Sequence, residues 1–473
     1  MTCATIHELR EAGLAAFPPQ VPATSDHLTE TTAAERLAAA FAGRWKYDWR
    51  RGLWVRFGGH GWAPDTTGLI VGDLTAESRR WQREAVTLLD ARRKVPVFEW
   101  AVKLESHAKA QNVLALLRTQ PGIADAGDRW NADPYLLRCP NGVIDLRTGV
   151  LRAGTPDDLI TLSATVLFDP DAECPLWDRF LADTFDGDRE LIQFVQRAIG
   201  YSLTGLTTEQ VFFACYGHTG CNGKGVLFRR LAAILGDYWR NVPFATIELH
   251  DRGSIPNDLA MLDGPRLITA SETNDGIRLN EARVKALTGS DPITARWLHG
   301  EFFTFRPAGK FWLAFNIKPV VRDDSPAFWR RVRLIPFTRT FPIDPTFEDR
   351  LAADDVGILA WAVRGCLAWQ RDGLRPPACV AEATSEYQDE SDPLADFIAE
   401  ALEMDPLAQV SGADMLAHYR AWAQQRGFGP REMLSSKAFG SKLKLRVRSE
   451  KTRNGRVYLG VARRDCDGSN ANE

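Results

Sequence analysis

The chain has 473 residues, 45% of them hydrophobic and 25% charged, with a formal net charge of −3. That length implies two to four domains, and the composition excludes a mainly disordered, collagenous or fibrous chain. The near-neutral total gives by itself no sign of a nucleic-acid partner.

No run approaches the 18 uninterrupted apolar residues of a membrane span, so no membrane partner is expected. Residues 1–28, with Pro18, Pro19 and Pro22, read as a leader without a secretory signal. The eight cysteines form no CxxC pair, which argues against a zinc site or disulfide framework and for a reducing, cytoplasmic setting.

In chain order, a helix is predicted near Thr32–Phe41. Arg44–Asp65, rich in Trp45, Tyr47, Trp49, Trp54, Phe57 and Trp62, alternates like a β-hairpin. Its aromatics can stack on bases, but a small sheet's core is the preferred reading. Residues 70–120 are helical in composition, and Asn141–Gly149 reads as a short strand between turns. Trp177–Ile199 carries apolar residues at helical spacing. Strands are predicted at Gln210–Tyr216, 266–272, 310–316 and 332–337; the helices between several of them point to a βα-type sheet. Pro376 and Pro377 mark a boundary, followed by a mainly helical stretch and a basic region turning at Asn454-Gly455.

The most specific signal is the strand–loop–helix sequence from Val211 to Val226. Gly217, Gly220 and Gly223 allow backbone N–H groups to turn inward, the helix N-terminus adds its positive end, and Lys224 adds a point charge. Thr219, Cys221, Asn222, Gly225 and Val226 complete the candidate phosphate cradle. It departs from GxxxxGK[ST] twice: His218 holds the first glycine position, and Gly225 replaces the hydroxyl that ligates magnesium. The expected companions are an acid at a strand tip (Glu272, for Mg2+ and attacking water), a polar strand-end residue (Asn316) and an arginine for a neighbour's γ-phosphate (Arg330 or Arg331).

The ordered set of the 217–225 loop, Arg266–Glu272, Leu287–Arg296, Phe303–Pro307, Asn316–Pro319 and Phe328–Phe337 resembles the phage and plasmid primase–helicase family, related to the poxvirus primase–helicase. The resemblance extends over roughly residues 30–465. It implies an α/β fold with a superfamily 3 AAA+ P-loop core, an N-terminal mainly helical module and a C-terminal winged helix. The expected layout is a leader over 1–28, the N-terminal module over 29–168, a helical collar and ATPase core over 169–375, and the basic domain over 390–473. It implies ATP and Mg2+ as cofactors, and a homo-oligomeric ring, a hexamer as a rule. It implies 3′–5′ translocation on single-stranded and forked DNA, in a bacterial host cytosol. By residue it implies Lys224 on phosphates, Glu272 on metal or water, Asn316 as sensor, and Arg330 or Arg331 acting in trans. A channel hairpin would turn near Leu298–Glu301, with Arg296 and His299 as DNA contacts. With about 28 residues ahead of the helical module, no primase activity is expected here, leaving a separate primase as a partner.

From Arg431 to Arg464 there are eleven basic residues against Glu432 and Glu450, a net +9, so the rest of the chain carries −12. Predicted helices at Ser411–Arg426 and Ser435–Leu445 and a hairpin through Asn454-Gly455 fit a winged helix. Lys437, Lys442, Lys444, Arg453 and Arg456 are its candidate DNA contacts. Two alternatives are a replication initiator that binds origin duplex with weak ATPase, and a AAA+ remodeller without processive unwinding.

Overall fold

The structure, a computed structural model, describes residues 27–248, 257–271, 278–296, 302–321, 323, 325–429, 433–453 and 455–464. The Thr29 hydroxyl caps α1 (Glu30–Phe41), which buries Ala33, Ala34, Leu37 and Phe41. β1 (Trp45–Asp48), β2 (Leu53–Gly58) and β3 (Gly61–Pro64) follow, then α2 (Leu69–Thr87), α3 (Ala91–Lys103), α4 (His107–Leu117) and β4 (Ala124–Asp125). The expected hairpin is part of a four-stranded sheet, order β3-β2-β1-β4, because β4 returns parallel to β1. Trp45, Tyr47 and Trp62 are buried in or under this sheet, so most of the aromatics serve its core; Trp49 is half exposed.

The segment around Asn141 forms more than one strand. β5 (Leu136–Cys139), β6 (Gly142–Asp145) and β7 (Val150–Arg152) make an antiparallel meander. Its Leu137, Cys139, Ile144 and Leu146 pack into the same core as α5 (Pro175–Thr184) and α6 (Arg189–Leu203).

Next come β8 (Phe212–Tyr216), α7 (Lys224–Leu235), β9 (Trp239–Asn241), β10 (Leu267–Ser271), α8 (Glu281–Leu287), β11 (Ile293–Arg296), β12 (Phe302–Phe305), β13 (Lys310–Phe315), α9 (Pro326–Trp329) and β14 (Val332–Pro336). Five of these strands form a parallel sheet, order β14-β8-β13-β10-β9. β8, β10 and β13 are almost wholly buried, which is why they read as continuous apolar runs. β11 and β12 pair separately as an antiparallel hairpin.

After α10 (Phe347–Leu351), α11 (Asp355–Asp372) packs closely on α6. A Cβ on Gly200 would sit 2.1 Å from the Cys366 nitrogen, and one on Gly365 2.2 Å from the Gln196 carbonyl oxygen. Both positions therefore require glycine. α12 (Ala378–Glu390) lies against β14. The C-terminal unit runs α13 (Pro393–Ala401), β15 (Leu402–Ser411), α14 (Gly412–Gln425), α15 (Ser436–Leu443), β16 (Ser449–Thr452) and β17 (Gly455–Arg463), with sheet order β15-β17-β16. The stretch after Pro377 is mainly helical, as expected, but β15 interrupts it. It is a polar edge strand whose pairing breaks between Met404 and Gln409, around Pro406.

Candidate phosphate-binding site

Parallel pairing aligns the carboxyl ends of β8, β10 and β13 on one edge, and ligands of open α/β sheets sit at such an edge. The glycine-rich loop leaves β8 there and enters α7. Gly217 is required by crowding, since a Cβ would lie 2.1 Å from Asn222 Nδ2 and 2.6 Å from the Phe337 carbonyl oxygen. Gly223 is required by its left-handed backbone, φ +86°. Cys221 also has positive φ, at 55°. The buried Asn222 amide donates to the Thr219 carbonyl at 2.6 Å. The chain after β14 braces the loop from outside: Phe341 N donates to Cys221 O at 2.8 Å, and the hydroxyls of Thr219 and Thr340 are 2.8 Å apart.

Lys224, the first residue of α7, is 6% exposed. Its ammonium donates to Gly217 O at 3.0 Å, Phe315 O at 3.3 Å and Asn316 Oδ1 at 2.8 Å. All three partners are neutral, so burial pushes this lysine down to about 8. A buried cation on neutral acceptors that faces an opening has no counter-charge within its own chain, and an anion would supply one.

The opening is a cavity of about 1110 Å³. Gly220–Val226 and Asn316 form its floor, and Thr269 and Ser271 at the end of β10 line one side. The far wall comes from Phe180 and Asp183 of α5 and from Ile343, Phe347 and Glu348. Arg229 of α7 is held there by the Glu348 carboxylate. No linear motif signals these wall residues, because they come from segments that precede and follow the sheet strands in the chain.

The other expected residues fall out as follows. Glu272 lies outside the described residues, directly after Ser271, and so does His299. Among the described residues, no three His, Cys, Asp or Glu side chains are grouped to hold a metal ion. Arg330 is exposed, with one bond to Gln210 Oε1 at 3.1 Å. Arg331 is buried and tied within its own chain, to Thr288 Oγ1 at 3.2 Å and to the Ala327 carbonyl. The geometry thus separates the two arginines: Arg330 is free to reach outward, whereas Arg331 braces the turn between α9 and β14. Arg296 ends β11 with its guanidinium 5.2 Å from the ring centre of the exposed Phe302. In the C-terminal unit Lys437, Lys444 and Arg453 are exposed, Lys442 is half-buried, and Arg456 bonds Ser449 Oγ at 2.8 Å.

Comparison with known proteins agrees with this architecture. Residues 34–186 match the family model described as D5 N terminal like, and residues 215–331 match one described as a family of unknown function (DUF5906). The chain is 26% identical over 415 residues to a putative helicase, L207/L206, of Acanthamoeba polyphaga mimivirus; the match covers 79% of this chain and 43% of that protein. It is 27% identical over 389 residues to putative helicase 022R of Frog virus 3, covering 63% of this chain and 39% of the relative. The chain thus spans about two fifths of the length of these curated relatives. The structure titled the A form apo structure of NrS-1 C terminal region-CTR shares its fold, with a TM-score of 0.51 at 9% identity, covering 90% of this chain and 98% of that one. These similarities support a primase–helicase relationship for the chain. Among the described residues no helix is long and apolar enough to cross a membrane.

Proposed function

We propose that the chain is the ATP-hydrolysing motor of a replicative DNA helicase, a P-loop AAA+ core of the superfamily 3 kind that works as a ring. The observation that carries the reading is the Lys224 ammonium, buried on neutral oxygens at the floor of an open cavity, at the carboxyl edge of a parallel sheet. Phosphate oxygens would replace the carbonyls as its partners, and the loop N–H groups and the α7 N-terminus would hold the rest of the phosphate chain. Asn316, released from Lys224, would turn its amide to the γ-phosphate or to the attacking water.

Magnesium carried in on the phosphates supplies charge neutralisation. The Ser271 and Thr269 hydroxyls line the same wall, and Glu272 follows directly in sequence. Gly225 offers no hydroxyl to it, and these are among the groups that would face the ion. Arg330 is the residue suited to act on a neighbouring subunit's nucleotide. The β11–β12 hairpin, with Arg296 and Phe302, has the charge and aromatic surface to hold single-stranded DNA. The order α13-β15-α14-α15-β16-β17 supports a winged helix, with α15 for a groove and the β16–β17 hairpin for backbone phosphates. That unit favours duplex or origin binding as a second function of the same chain.

Purified protein should hydrolyse ATP with magnesium and displace a strand from a 3′-tailed fork. Hydrolysis without displacement on either polarity of fork would favour the remodeller. Duplex binding without appreciable turnover would favour the initiator.

A further inference from the structure

Asn316 stands two residues before Lys318, a side chain that the phosphate cradle does not use. The Lys318 stem is held between aromatic rings, its ammonium 5.0 Å from the Tyr216 ring centre and 5.8 Å from that of Tyr387. The side chain is only 15% exposed, and it pairs with Glu390 at 2.7 and 2.8 Å. Glu390 is the last residue of α12. The same helix is fixed to the sheet at two further points: Leu334 N donates to Thr384 Oγ1 at 3.1 Å, and the Tyr387 hydroxyl donates to the Pro319 carbonyl. Two residues beyond Glu390, Asp392 caps α13 by accepting from Leu394 N at 3.1 Å and Ala395 N at 3.3 Å. Asp392 also pairs with Arg446 at 2.5 Å, just after the basic helix α15.

These contacts form an unbroken series from the phosphate loop to the basic C-terminal unit. Lys224 holds Asn316; Asn316 and Lys318 share one short segment; Lys318 holds Glu390; Asp392 holds Arg446. We propose that Lys318 is a positioning residue through which occupancy of the phosphate loop is transmitted to the C-terminal basic unit. When phosphate takes Lys224 from Asn316, the 316–319 segment shifts. The clamped Lys318–Glu390 pair moves the end of α12, and Asp392 passes that movement to Arg446 and α15. The proposal rests on the nucleotide reading above. It requires the two occupancy states to place α15 differently, which is the condition for any coupling between sites.

The test uses the full chain and the non-hydrolysable analogue AMP-PNP with magnesium. Binding is followed with a fluorescent nucleotide, and hydrogen exchange is followed across residues 436–446. In the wild type, exchange in 436–446 should change by about fivefold or more on nucleotide binding, the lower end of ordinary coupling. Lys318→Gln and Glu390→Gln should each reduce that change to about twofold or less, with nucleotide affinity held within about twofold. The conservative Lys318→Arg, which can keep the charge, the ring contacts and the pair with Glu390, should retain the nucleotide-dependent change. Nucleotide binding with unchanged exchange in the wild type, or a full response in Lys318→Gln, overturns the relay and leaves the loop assignment standing. Absence of nucleotide binding overturns the loop assignment itself, and the relay with it.

Discussion

The parallel sheet holds buried cations at both ends, and they are set up for opposite purposes. At the carboxyl end Lys224 rests on two carbonyls and one amide oxygen and faces a large opening. At the amino end Arg266 and Lys310 are buried at the starts of β10 and β13. Arg266 donates to Leu203 O at 2.8 Å and Leu136 O at 2.9 Å, with its guanidinium 4.8 Å from the Tyr238 ring centre. Lys310 donates to the carbonyls of Thr204, Leu206 and Ala308, and burial holds its ammonium well below the usual lysine range. Leu203 ends α6, so these charges sit at the negative end of that helix and satisfy carbonyls the helix leaves free. They clasp the β5–β7 meander and α6 to the sheet, with their bonds directed inward. Carbonyl-held cations therefore build structure at one end and, on the reading proposed above, a receptor for anions at the other. What differs is whether space is left in front of the charge.

The comparison predicts opposite consequences for removing each charge. Lys224→Ala should lower ATP turnover by about 100-fold or more, the scale for losing a donor aimed at developing charge. Its urea midpoint should hold or rise, because a buried charge without a counter-ion is removed and the oxygens it leaves on Phe315 and Asn316 line a cavity that water can enter. Arg266→Ala should do the reverse: about 3–5 kcal/mol lost in urea unfolding, from orphaned carbonyls and the space left behind. Nucleotide affinity per folded molecule should stay close to wild type. A destabilised Lys224→Ala protein, or an Arg266→Ala protein of wild-type stability, breaks the contrast.

A smaller version of the same contrast separates the adjacent arginines. Arg331→Ala loses bonds to Thr288 and Ala327 and should cost about 1–3 kcal/mol in urea unfolding. The exposed Arg330→Ala should change stability by about 0.5 kcal/mol or less. If Arg330 acts across an interface, its variant mixed with Lys224→Ala protein should recover part of the turnover, because some interfaces then pair an intact loop with an intact arginine. No recovery at any mixing ratio counts against action in trans.

The contrast also shows what a linear reading can reach. β8, β10 and β13 were legible because a strand buried on both faces is a short apolar run, and Asn316 was legible as the polar residue ending one of them. The loop was legible because crowding at Gly217 and positive φ at Gly223 demand glycine. The clasp was not, since Arg266 and Lys310 look like ordinary strand starts and their partners are main-chain oxygens that any sequence supplies. Nor was the cavity's far wall, which α5 and the 341–348 segment bring together only in the folded chain. β15 was missed because an edge strand with polar residues and a proline has neither the composition nor the alternation of a strand. β4 was missed because two residues are too few to show a period.

The smallest effect follows from Lys224's own titration. The ordinary lysine value is 10.5, and burial without a counter-ion lowers it to about 8 in the free site. Phosphate favours the charged form, so it raises the value in the complex. Below pH 8 the ammonium is already charged in both states, and this group gives affinity no pH dependence. Between pH 8 and the higher value of the complex, binding takes up a proton, and nucleotide affinity falls with rising pH, towards a limit of tenfold, or about 1.4 kcal/mol, per unit. Titration of a fluorescent nucleotide from pH 7 to 9.5 should show the decline, and Lys224→Ala should lack it. Calorimetry in two buffers of different ionisation enthalpy should detect the proton taken up at pH 9. A wild-type affinity that stays level to pH 9.5 would mean that Lys224 keeps its proton in the free site. The amino end would then hold the sheet's strongly desolvated lysine, Lys310, and its opposite number at the loop would be an ordinary charged one.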